Sequence, residues 1–379
     1  MKAALYRYRN GSIERHPNSD EFDDKLAQLA LCFGSKKLLA SDGFYDILRE
    51  KLPQTDIAMC STAGELYDTE VSDDTVTVAT IFLERSRVIA HSINLNGHAN
   101  SYEAGIALRH LFESEELTYL LVLSDGSKVN GSDLVKGLNA FGHPLLITGG
   151  LAGDGGEFIS TVAGLNAQPT EGTIVGVGFY GTHLKIGHGS QGGWEMFGME
   201  KKVTRSEGNV LYELDGKNAL ELYKKYLGPE ADALPGSALL FPLSVSVPGT
   251  NDQLVRTILS IDHEKGSMTF AGDIPEGAQV RLMKANFDKI TNAASKAALR
   301  VRTNEKNAPR LALLISCVGR KLILKKRTDE EVEAVRSVFG NDTLLAGFYS
   351  YGEISPLVQG EPSVLHNQTM TITTIDERE

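Results

Sequence analysis

The sequence predicts an α/β fold of two pseudo-repeated domains, built from βαβ-hairpin-helix units, with mixed sheets flanked by helices. One observation is a segment that occurs three times, in which an apolar strand, a turn, a helix, a second apolar strand and a Gly-acid loop follow one another. A second is the period-two alternation of apolar residues after each Gly-acid loop, which is typical of β-hairpins and predicts two of them over residues 74–95 and 173–190. A third is the helix-like segment that precedes the second copy and the one that precedes the third.

The three copies span residues 26–65, 118–154 and 310–353. In each copy, Cys or Ser stands two places before the turn glycine, and the last glycine is followed by an acid. The turn pairs are Cys32 and Gly34, Ser124 and Gly126, and Cys317 and Gly319. The terminal pairs are Gly64 and Glu65, Gly153 and Asp154, and Gly352 and Glu353. We expect each set to occupy equivalent positions in the fold.

The distance between the second and third copies predicts a degenerate fourth copy, because it is about two unit lengths. We assign to this copy the helix DGKNALELYKKYLG, the strand SALLFPLSVSV, the loop PGTND and the hairpin LVRTILSIDHEKGSMTFAG. Paired units then form two domains, residues 1–205 and 206–379.

Composition and charge exclude several classes of protein. The chain has 379 residues, with 49 acidic and 38 basic side chains, and its net charge of −11 argues against nucleic acid as a partner. No uncharged apolar stretch approaches the roughly 20 residues of a membrane-spanning helix, and the N-terminus has no signal-peptide core. The three cysteines have no CxxC spacing, so we expect neither a disulfide framework nor a thiolate zinc site, and we expect a cytoplasmic location.

The repeated loops predict a ligand site, because glycine turns at strand ends let backbone N–H groups converge at the mouth of an α/β sheet. The alternative is that each glycine only permits a tight turn. The predicted ligand-binding residues come from these loops and from the segment GSQGGWE (189–195). They are Cys60, Ser61, Thr62, Glu65, Asp154, Ser190, Gln191, Trp194, Arg320, Tyr349, Ser350 and Glu353.

Two of these predictions have explicit alternatives. Arg320 is the cation at a repeated turn position, and its guanidinium can hold a carboxylate with two hydrogen bonds; an internal ion pair with Glu353 is the alternative. The segment GSQGGWE combines the chain's only tryptophan with small residues and an amide, which suits a small polar ligand. A bulge at the end of a strand would also explain it.

The nine histidines predict no metal site, because they occur without HExxH or a cysteine partner. His366 begins the strand HNQTMTITTI, and an imidazole in a core strand requires a hydrogen-bond partner. We interpret it as a structural histidine, with pocket lining or axial ligation of haem as alternatives. His263, in the hairpin turn SIDHEKG, is the second histidine considered for haem.

Eight segments, taken together, resemble the FIST family, which has an N-terminal FIST region followed by a FIST C region. The resemblance covers residues 25–375, and the segments are CSTAGE (60–65), GGLAGDGGEF (149–158), VGVGFYG (175–181), GSQGGWEMFG (189–198), VTRSEGNVLYELDGKNAL (203–220), SCVGR (316–320), GFYSYGEISP (347–356) and HNQTMTIT (366–373). It implies a cytoplasmic input module of bacterial signal transduction that binds small ligands such as amino acids. Some relatives look like haem-dependent nitric-oxide sensors that act with histidine kinases or cyclic-di-GMP enzymes.

The leading hypothesis is a non-enzymatic sensory protein that binds an amino acid and signals through a separate partner, such as a histidine kinase or a cyclic-di-GMP enzyme. In this hypothesis Arg320 binds the α-carboxylate, while Glu353, Asp154 or Glu65 lies near the ammonium group.

Three other hypotheses stay open. One is a haem-dependent nitric-oxide sensor in which His366 or His263 is the axial ligand. Another is an enzyme with Cys60, Cys317 or Ser350 as the nucleophile. The last is a scaffold protein without a ligand.

Overall fold

The computed structural model describes residues 1–379 with the exception of 42, 113–114, 143–144, 247–252, 303–307 and 379. The loop PGTND (248–252), predicted for the fourth copy, lies outside the described residues. The chain contains three units with the same strand order and one inserted segment of antiparallel strands.

The first unit, residues 2–82, contains a parallel strand pair joined by two helices. The segment LALCFG (Leu29–Gly34) is apolar at nearly every position and completely buried, as expected for a strand covered on both faces. The elements of the unit are β1 (Lys2–Arg9), β2 (Ser12–Arg15), β3 (Leu29–Gly34), α1 (Lys36–Leu39), α2 (Phe44–Lys51), β4 (Asp56–Ser61), β5 (Glu65–Tyr67), β6 (Glu70–Ser72) and β7 (Val76–Phe82).

The second unit, residues 87–180, has the same plan, with one more helix before its parallel pair. Asparagine side chains begin both of its helices: Asn100 accepts a hydrogen bond from the N–H of Glu103, and Asn130 accepts one from the N–H of Asp133. The elements are β8 (Arg87–Asn94), α3 (Ser101–His110), β9 (Leu117–Ser124), α4 (Gly131–Leu138), β10 (Leu146–Leu151), β11 (Ala163–Leu165) and β12 (Thr173–Tyr180).

The third unit begins with β13 (Leu184–Gln191) and is then interrupted by an inserted segment, residues 195–284. The insertion packs around a core of its own. Its elements are β14 (Glu195–Glu207), β15 (Val210–Leu214), β16 (Lys217–Asn218), α5 (Ala219–Leu227), β17 (Leu243–Ser246), β18 (Gln253–Arg256), β19 (Ile258–Asp262), β20 (Ser267–Phe270) and β21 (Gln279–Lys284).

The prediction of a fourth βαβ copy is wrong. All strand pairs of the insertion are antiparallel in the part of the chain that the structure describes. The predicted strand SALLFPLSVSV begins as a 3-10 helix (Gly236–Leu240), and only Leu243–Ser246 forms a strand, which pairs antiparallel with β18 and β21. The long spacing between the second and third copies therefore comes from an insertion inside the third unit.

The remainder of the third unit follows the insertion and restores the βαβ plan. Its elements are α6 (Phe287–Arg302), β22 (Leu311–Cys317), α7 (Val318–Leu324), α8 (Thr328–Phe339), β23 (Leu344–Ser350), β24 (Gly352–Pro356), β25 (Ser363–His366) and β26 (Met370–Glu377). The pairs β3–β4, β9–β10 and β22–β23 are parallel and form the centres of the first, second and third sheets.

Each sheet contains one or two strands from another unit, and the exchange forms a closed cycle. Strand β5 of the first unit pairs with β23, β24 of the third unit pairs with β10, and β11 of the second unit pairs with β4. We call β5, β11 and β24 the exchange strands. The order from the exchange strand across each sheet is the same: β11-β4-β3-β7-β1, β24-β10-β9-β12-β8 and β5-β23-β22-β26-β13.

The three sheets face a common apolar core. The ring of Phe33 from the first sheet stacks on that of Phe348 from the third, with the ring centroids 4.9 Å apart, and one buried cluster includes side chains from all three units. Helices cover the outer faces: α1 and α2 pack on the first sheet, α3 and α4 on the second, and α6 and α8 on the third. The predicted α/β class, with mixed sheets flanked by helices, is confirmed.

The two predicted hairpins are wrong. Strand β7 pairs with β1 and β3, whereas β8 pairs with β12 in the second sheet. In the same way β12 pairs with β8 and β9, whereas β13 pairs with β26 in the third sheet. Period-two alternation is the same for a strand in a hairpin and for a strand that crosses to another sheet, so the local pattern does not distinguish them.

The predicted alignment of the turns needs one correction. The N–H groups of Ser35, Asp125 and Cys317 donate to Thr75, Thr173 and Thr369 at 3.1, 2.9 and 3.0 Å, in the same place of each sheet. Ser35, Asp125 and Cys317 are therefore equivalent, whereas the sequence pattern predicted Cys32, Ser124 and Cys317. Similar turn residues occur at slightly different distances from the end of each strand.

The Gly-acid loops are equivalent in two copies out of three. The parallel register aligns Ser61, Leu151 and Tyr349, which places Glu65 and Glu353 four residues later at matching positions. In the second unit this position holds a glycine, and Asp154 lies one residue earlier.

Helices α3 and α4 approach closely at two glycines. A Cβ atom on Gly137 would lie 2.1 Å from the carbonyl oxygen of Tyr102, and one on Gly105 would lie 2.4 Å from that of Leu134. We expect Gly137→Ala to lower the free energy of unfolding by about 1–3 kcal/mol, because the helices must separate, although alanine favours helix formation. Urea unfolding measures this, and the exposed Gly97→Ala, with open space around it, is the control. An unchanged Gly137→Ala protein would contradict the close helix contact.

Candidate functional site

The candidate site is a cavity of about 700 Å³ to which all three units contribute. We call it the three-unit cavity. The first unit lines it with residues between 35 and 74, the second with 154–157, and the third with 318, 321 and 322 of α7. Its charged lining consists of three lysines and five acids, namely Lys36, Lys37, Lys321, Glu65, Asp73, Asp74, Asp154 and Glu157.

Glu65, the first residue of exchange strand β5, lines this cavity and is almost completely buried. One of its carboxylate oxygens accepts a hydrogen bond from Thr62 Oγ1 at 2.5 Å, and the other accepts bonds from Thr75 N and Oγ1 at 3.1 and 2.9 Å. Burial raises the pKa of Glu65 to about 7. The hydrogen bonds from Thr62 and Thr75 lower the pKa, but the effect of burial is larger. This carboxyl group therefore changes its charge near neutral pH.

Glu353 repeats this arrangement at the start of exchange strand β24. It accepts hydrogen bonds from Ser350 Oγ at 2.6 Å and from Thr369 N and Oγ1 at 3.2 and 2.9 Å. Burial raises the pKa of Glu353 to about 7 as well. Unlike Glu65, it does not line the three-unit cavity, so its predicted contact with the same ligand is not supported by the geometry.

Asp154 lines the cavity and organises the loop that follows it. Its carboxylate accepts hydrogen bonds from the N–H groups of residues 158, 159 and 160 at 2.8–2.9 Å, and from the hydroxyl of Tyr351. Burial would raise the pKa of Asp154, but the hydrogen bonds from Tyr351 and the backbone outweigh it and lower the pKa. Asp154 is therefore a charged group that joins the second and third units.

Lys321 joins the third unit to the first. Its ammonium donates to the carbonyl oxygen of Ala63 at 2.8 Å and forms an ion pair with Asp73. Gly64 makes room for it, because a Cβ atom there would lie 2.5 Å from the Lys321 nitrogen, and the φ of +141° also favours glycine. The glycine of the CSTAGE loop thus has a packing role as well as a conformational one.

Arg320 does not face the cavity, and its prediction as a ligand clamp is wrong. The side chain is completely buried, with Nε donating to Glu331 at 2.7 Å, Nη1 to the carbonyl of Gly192 at 2.5 Å and Nη2 to that of Ile290 at 2.9 Å. The alternative partner, Glu353, is also wrong, because the ion pair is with Glu331. These bonds leave the guanidinium no surface for a ligand.

The other predicted residues of the third unit belong to the core. Tyr349 Oη donates to Glu331 at 2.9 Å, and Ser350 is fully buried beside Glu353. The thiol of Cys60 is also buried, and burial raises its pKa well above the usual value, as it does for Cys317. Ser350, Cys60 and Cys317 therefore lack the exposure, and the two thiols the lowered pKa, of an activated nucleophile.

The remaining predicted residues do not meet in one place. Thr62 lines the three-unit cavity, whereas Ser61 accepts a hydrogen bond from Val162 N at 3.0 Å inside the protein. Trp194 donates to the carbonyl oxygen of Gln368 at 3.0 Å and packs on an apolar cluster with Ile290. Ser190 and Gln191 line a different cavity.

Neither histidine considered for haem is suited to it. His366 is buried, its Nε2 lies 2.9 Å from the carbonyl oxygen of Ser355, and burial lowers its pKa to about 4. His263 lies on the exposed hairpin of the insertion, 3.3 Å from the ammonium of Lys224. His366 is therefore a hydrogen-bonded structural histidine, and the geometry does not support it as an axial ligand.

Six charged residues that line the cavity were not predicted from the sequence: Lys36, Lys37, Asp73, Asp74, Glu157 and Lys321. Two signals were available for them. Lys36 and Lys37 directly follow the turn of the first copy, and Lys321 is the neighbour of Arg320 on α7. Successive residues of a helix point about 100° apart, so an arginine in the core and a lysine in the cavity are compatible.

Comparison with known protein families identifies the family of this chain. The chain matches the FIST N domain over residues 28–217 and the FIST C domain over residues 219–356. The chain belongs to the FIST family. FIST domains are sensory domains of signal transduction, and their presence indicates a sensory role. The domain boundary after residue 205 stays a prediction.

Two curated relatives of this FIST protein are similar over part of their length. They are uncharacterised proteins of Mycobacterium tuberculosis, MT0656 and Rv0628c, each 25% identical over 244 residues, which is 62% of this chain. The match spans 63% of the length of each relative.

No described helix combines the length and the apolar character that crossing a membrane requires. Among the same residues, no cluster of His, Cys, Asp and Glu could hold a metal ion.

The buried ion pair gives a test of the role assigned to Arg320. We expect Arg320→Met to lower the free energy of unfolding by about 3–5 kcal/mol, because it leaves the carboxylate of Glu331 buried and unpaired. Urea unfolding measures this loss. Arg327→Met, which removes an exposed ion pair with Glu330, should cost less than about 1 kcal/mol. Equal effects of the two substitutions would contradict the structural role.

The carboxyl group of Glu65 gives a second test. The folded protein holds its proton up to a pKa of about 7, whereas the unfolded chain releases it near 4.5, so the folded state binds more protons between these values. Glu65 therefore makes stability fall as the pH rises through this window, by on the order of 3 kcal/mol. Glu65→Gln keeps the group neutral and should remove this fall.

The measurement is urea unfolding at several values between pH 4.5 and 8, with the parent and the variant compared at each pH. Taking the difference removes contributions that are common to both proteins, such as that of Glu353, whose pKa is also raised to about 7 by burial. The exposed Glu50→Gln on α2 is the control and should follow the parent. A constant difference between the parent and Glu65→Gln would show that Glu65 is ionised throughout.

Proposed function

We propose that this FIST protein is a sensor that binds a small polar ligand with an ammonium group, such as an amino acid, in the three-unit cavity. The observation that carries the proposal is the shared lining of this cavity by three units that exchange strands. A ligand bound there contacts loops of all three units at once. Different affinities for two arrangements of these loops would convert binding into a signal.

The charge of the lining favours an ammonium group. Two of the three lysines already have partners, since Lys321 pairs with Asp73 and Lys36 donates to Ser160. Asp74 and Glu157 have no ion-pair partner among the described residues. These two carboxylates are thus the groups that would attract a cationic ligand, while Asp154 is held by its loop.

The same lining offers a partner for the carboxylate of an amino acid. Lys37 lies at the cavity with an exposed side chain. Lysine acts as a flexible point charge, which suits a ligand at an open mouth better than a bidentate clamp does. In our proposal Lys37 therefore takes the role that the sequence analysis gave to Arg320.

We also propose that the protein acts in the cytoplasm and signals to a separate partner of the kind that the FIST resemblance implies, a histidine kinase or a cyclic-di-GMP enzyme. All three cysteines are free and buried, which suits a reducing compartment. Binding of a ligand requires no nucleophile, and the burial of Cys60 and Ser350 is compatible with this role.

The proposal predicts saturable stabilisation by at least one of the twenty amino acids. A ligand present at 100 times its Kd should stabilise the protein by about 2.7 kcal/mol, seen as a rise in Tm. The double substitution Asp74→Asn with Glu157→Gln should weaken this binding at least about tenfold, because it removes both unpaired carboxylates. Asn suits position 74, whose φ is +57°, because asparagine tolerates this left-handed conformation and the backbone is retained.

Calorimetric titration of the same protein checks the Tm result. The control is Asp46→Asn, an exposed aspartate of α2 away from the cavity, which should leave the affinity unchanged. A panel in which no amino acid binds would remove the proposed ligand class. An amino acid that binds the double variant as tightly as the parent would move the site away from the three-unit cavity.

A further inference from the structure

We infer that a second cavity of this protein binds a small aromatic molecule. The cavity lies between the turn that follows β9, the loop after Asp154 and the inserted segment. We call it the insertion cavity. Its volume is about 380 Å³, which is within the usual range for a small-molecule site, and none of its described lining residues belongs to the three-unit cavity.

The insertion cavity has the same place in the second unit as the three-unit cavity has in the first. Each is lined by the residues that follow the first strand of a parallel pair, 35–37 in the first unit and 126–131 in the second. Each also receives a residue from the loop before the exchange strand of the next unit, Asp154 in one case and Tyr351 in the other. Ligands of α/β sheets bind at this carboxyl end of the strands, so the repeated plan of the units points to a second site.

One wall of the insertion cavity is a pair of stacked aromatic rings. The rings of Phe158 and Tyr351 are nearly parallel, with an interplanar angle of 14° and centroids 4.5 Å apart. Tyr351 covers one face of the Phe158 ring, yet Phe158 is still 45% exposed. Aromatic rings attract each other in offset stacks, so the uncovered side of Phe158 is a surface for a third ring.

The backbone holds Phe158 in a costly conformation. Its φ is +56°, in the left-handed region that bulky residues rarely adopt. The N–H of Phe158 donates to the carboxylate of Asp154 at 2.9 Å and to the hydroxyl oxygen of Tyr351 at 3.1 Å. Strain of this kind is concentrated at ligand-binding sites. The bonds fix the loop before a ligand binds, which lowers the entropic cost of binding.

The inserted segment supplies a second apolar wall. Leu259 of β19 is 46% exposed and lines the cavity together with the buried ring of Phe270. Ile159, beside Phe158, is 73% exposed and lines it as well. Asn209 adds a polar group, and its Nδ2 donates to the carbonyl oxygen of Phe270 at 2.7 Å. Several exposed apolar residues around one cavity mark a binding site, here one for an apolar skeleton.

The test is calorimetric titration of the full chain with 1-naphthol and with its saturated counterpart, decahydro-1-naphthol. Both probes are uncharged at neutral pH, which suits a cavity where the ammonium of Lys128 already pairs with Glu171 at 2.8 Å. We expect saturable binding of 1-naphthol that is about two- to tenfold tighter than that of decahydro-1-naphthol, because only an aromatic ring stacks on Phe158.

Two substitutions locate the site. Phe158→Asn should weaken the binding of 1-naphthol at least about tenfold, because it removes the ring, while asparagine tolerates the positive φ and retains the loop. Leu259→Glu, at an exposed position, places a charge in the apolar wall and should weaken binding to a similar extent. Phe287→Asn is the matched control, since Phe287 is also 45% exposed but does not line the cavity.

Three results would overturn the inference. The first is the absence of saturable binding of 1-naphthol to the parent protein. The second is binding of decahydro-1-naphthol that is as tight, and the third is binding that either Phe158→Asn or Leu259→Glu leaves unchanged. The double variant Asp74→Asn with Glu157→Gln should bind 1-naphthol as the parent does, because neither position lines the insertion cavity. Neither probe carries an ammonium group, so this inference and the amino-acid site proposed for the three-unit cavity can fail separately.

Discussion

The exchange of strands β5, β11 and β24 among the three sheets is the constraint on which the rest of the structure depends. Each exchange strand has only three to five residues and completes the sheet of another unit. Strands this short have little stability of their own. Because the exchange is cyclic, no unit has a complete sheet without a strand from another, and the common core includes side chains of all three. We therefore expect the three units to fold as one cooperative body.

The same exchange explains why the Gly-acid loops matter. The chain must leave one sheet and enter another between β4 and β5 and between β23 and β24, and the acid is at the first or second residue of the exchange strand. Glu65 and Glu353 bond to Thr75 and Thr369, which precede the last strand of their own unit. Buried carboxyl groups need such donors. In the second unit Asp125 supplies the carboxylate from the end of β9, accepting the N–H of Gly172 at 2.6 Å.

The local parts of this fold could be predicted from the sequence, and the long-range parts could not. The apolar runs LALCFG and LALLISC predict buried strands because a strand covered on both faces has no polar positions. The exchange of strands depends on pairs that lie far apart in sequence, such as β5 with β23, and alternation carries no information about the partner. For the same reason the inserted segment 195–284 was mistaken for a repeat of similar length.

The candidate site follows the same division. Glu65, Asp154 and Thr62 could be predicted because their loops repeat, whereas Lys321 could not be separated from Arg320 by sequence position. On α7, Arg320 enters the core and binds Glu331, and Lys321 lies at the boundary between units. Because their surroundings differ, breaking the bonds of Arg320 and breaking those of Lys321 have different costs in stability. The bonds of Arg320 are sealed from water, and breaking them leaves a buried charge.

In the proposed function, a ligand would replace the ion pair of Lys321 with Asp73 at small cost. Asp73, its ion-pair partner, is largely exposed, and the pair joins a loop of the first unit to a helix of the third. Exposed ion pairs contribute little net stability, so a bound molecule that competes for either charge would loosen this junction without disturbing the core. The exchange strands join the units, and in the proposed function the loops at the charged lining respond to the ligand. A sensory protein requires both properties, and here they belong to different residues.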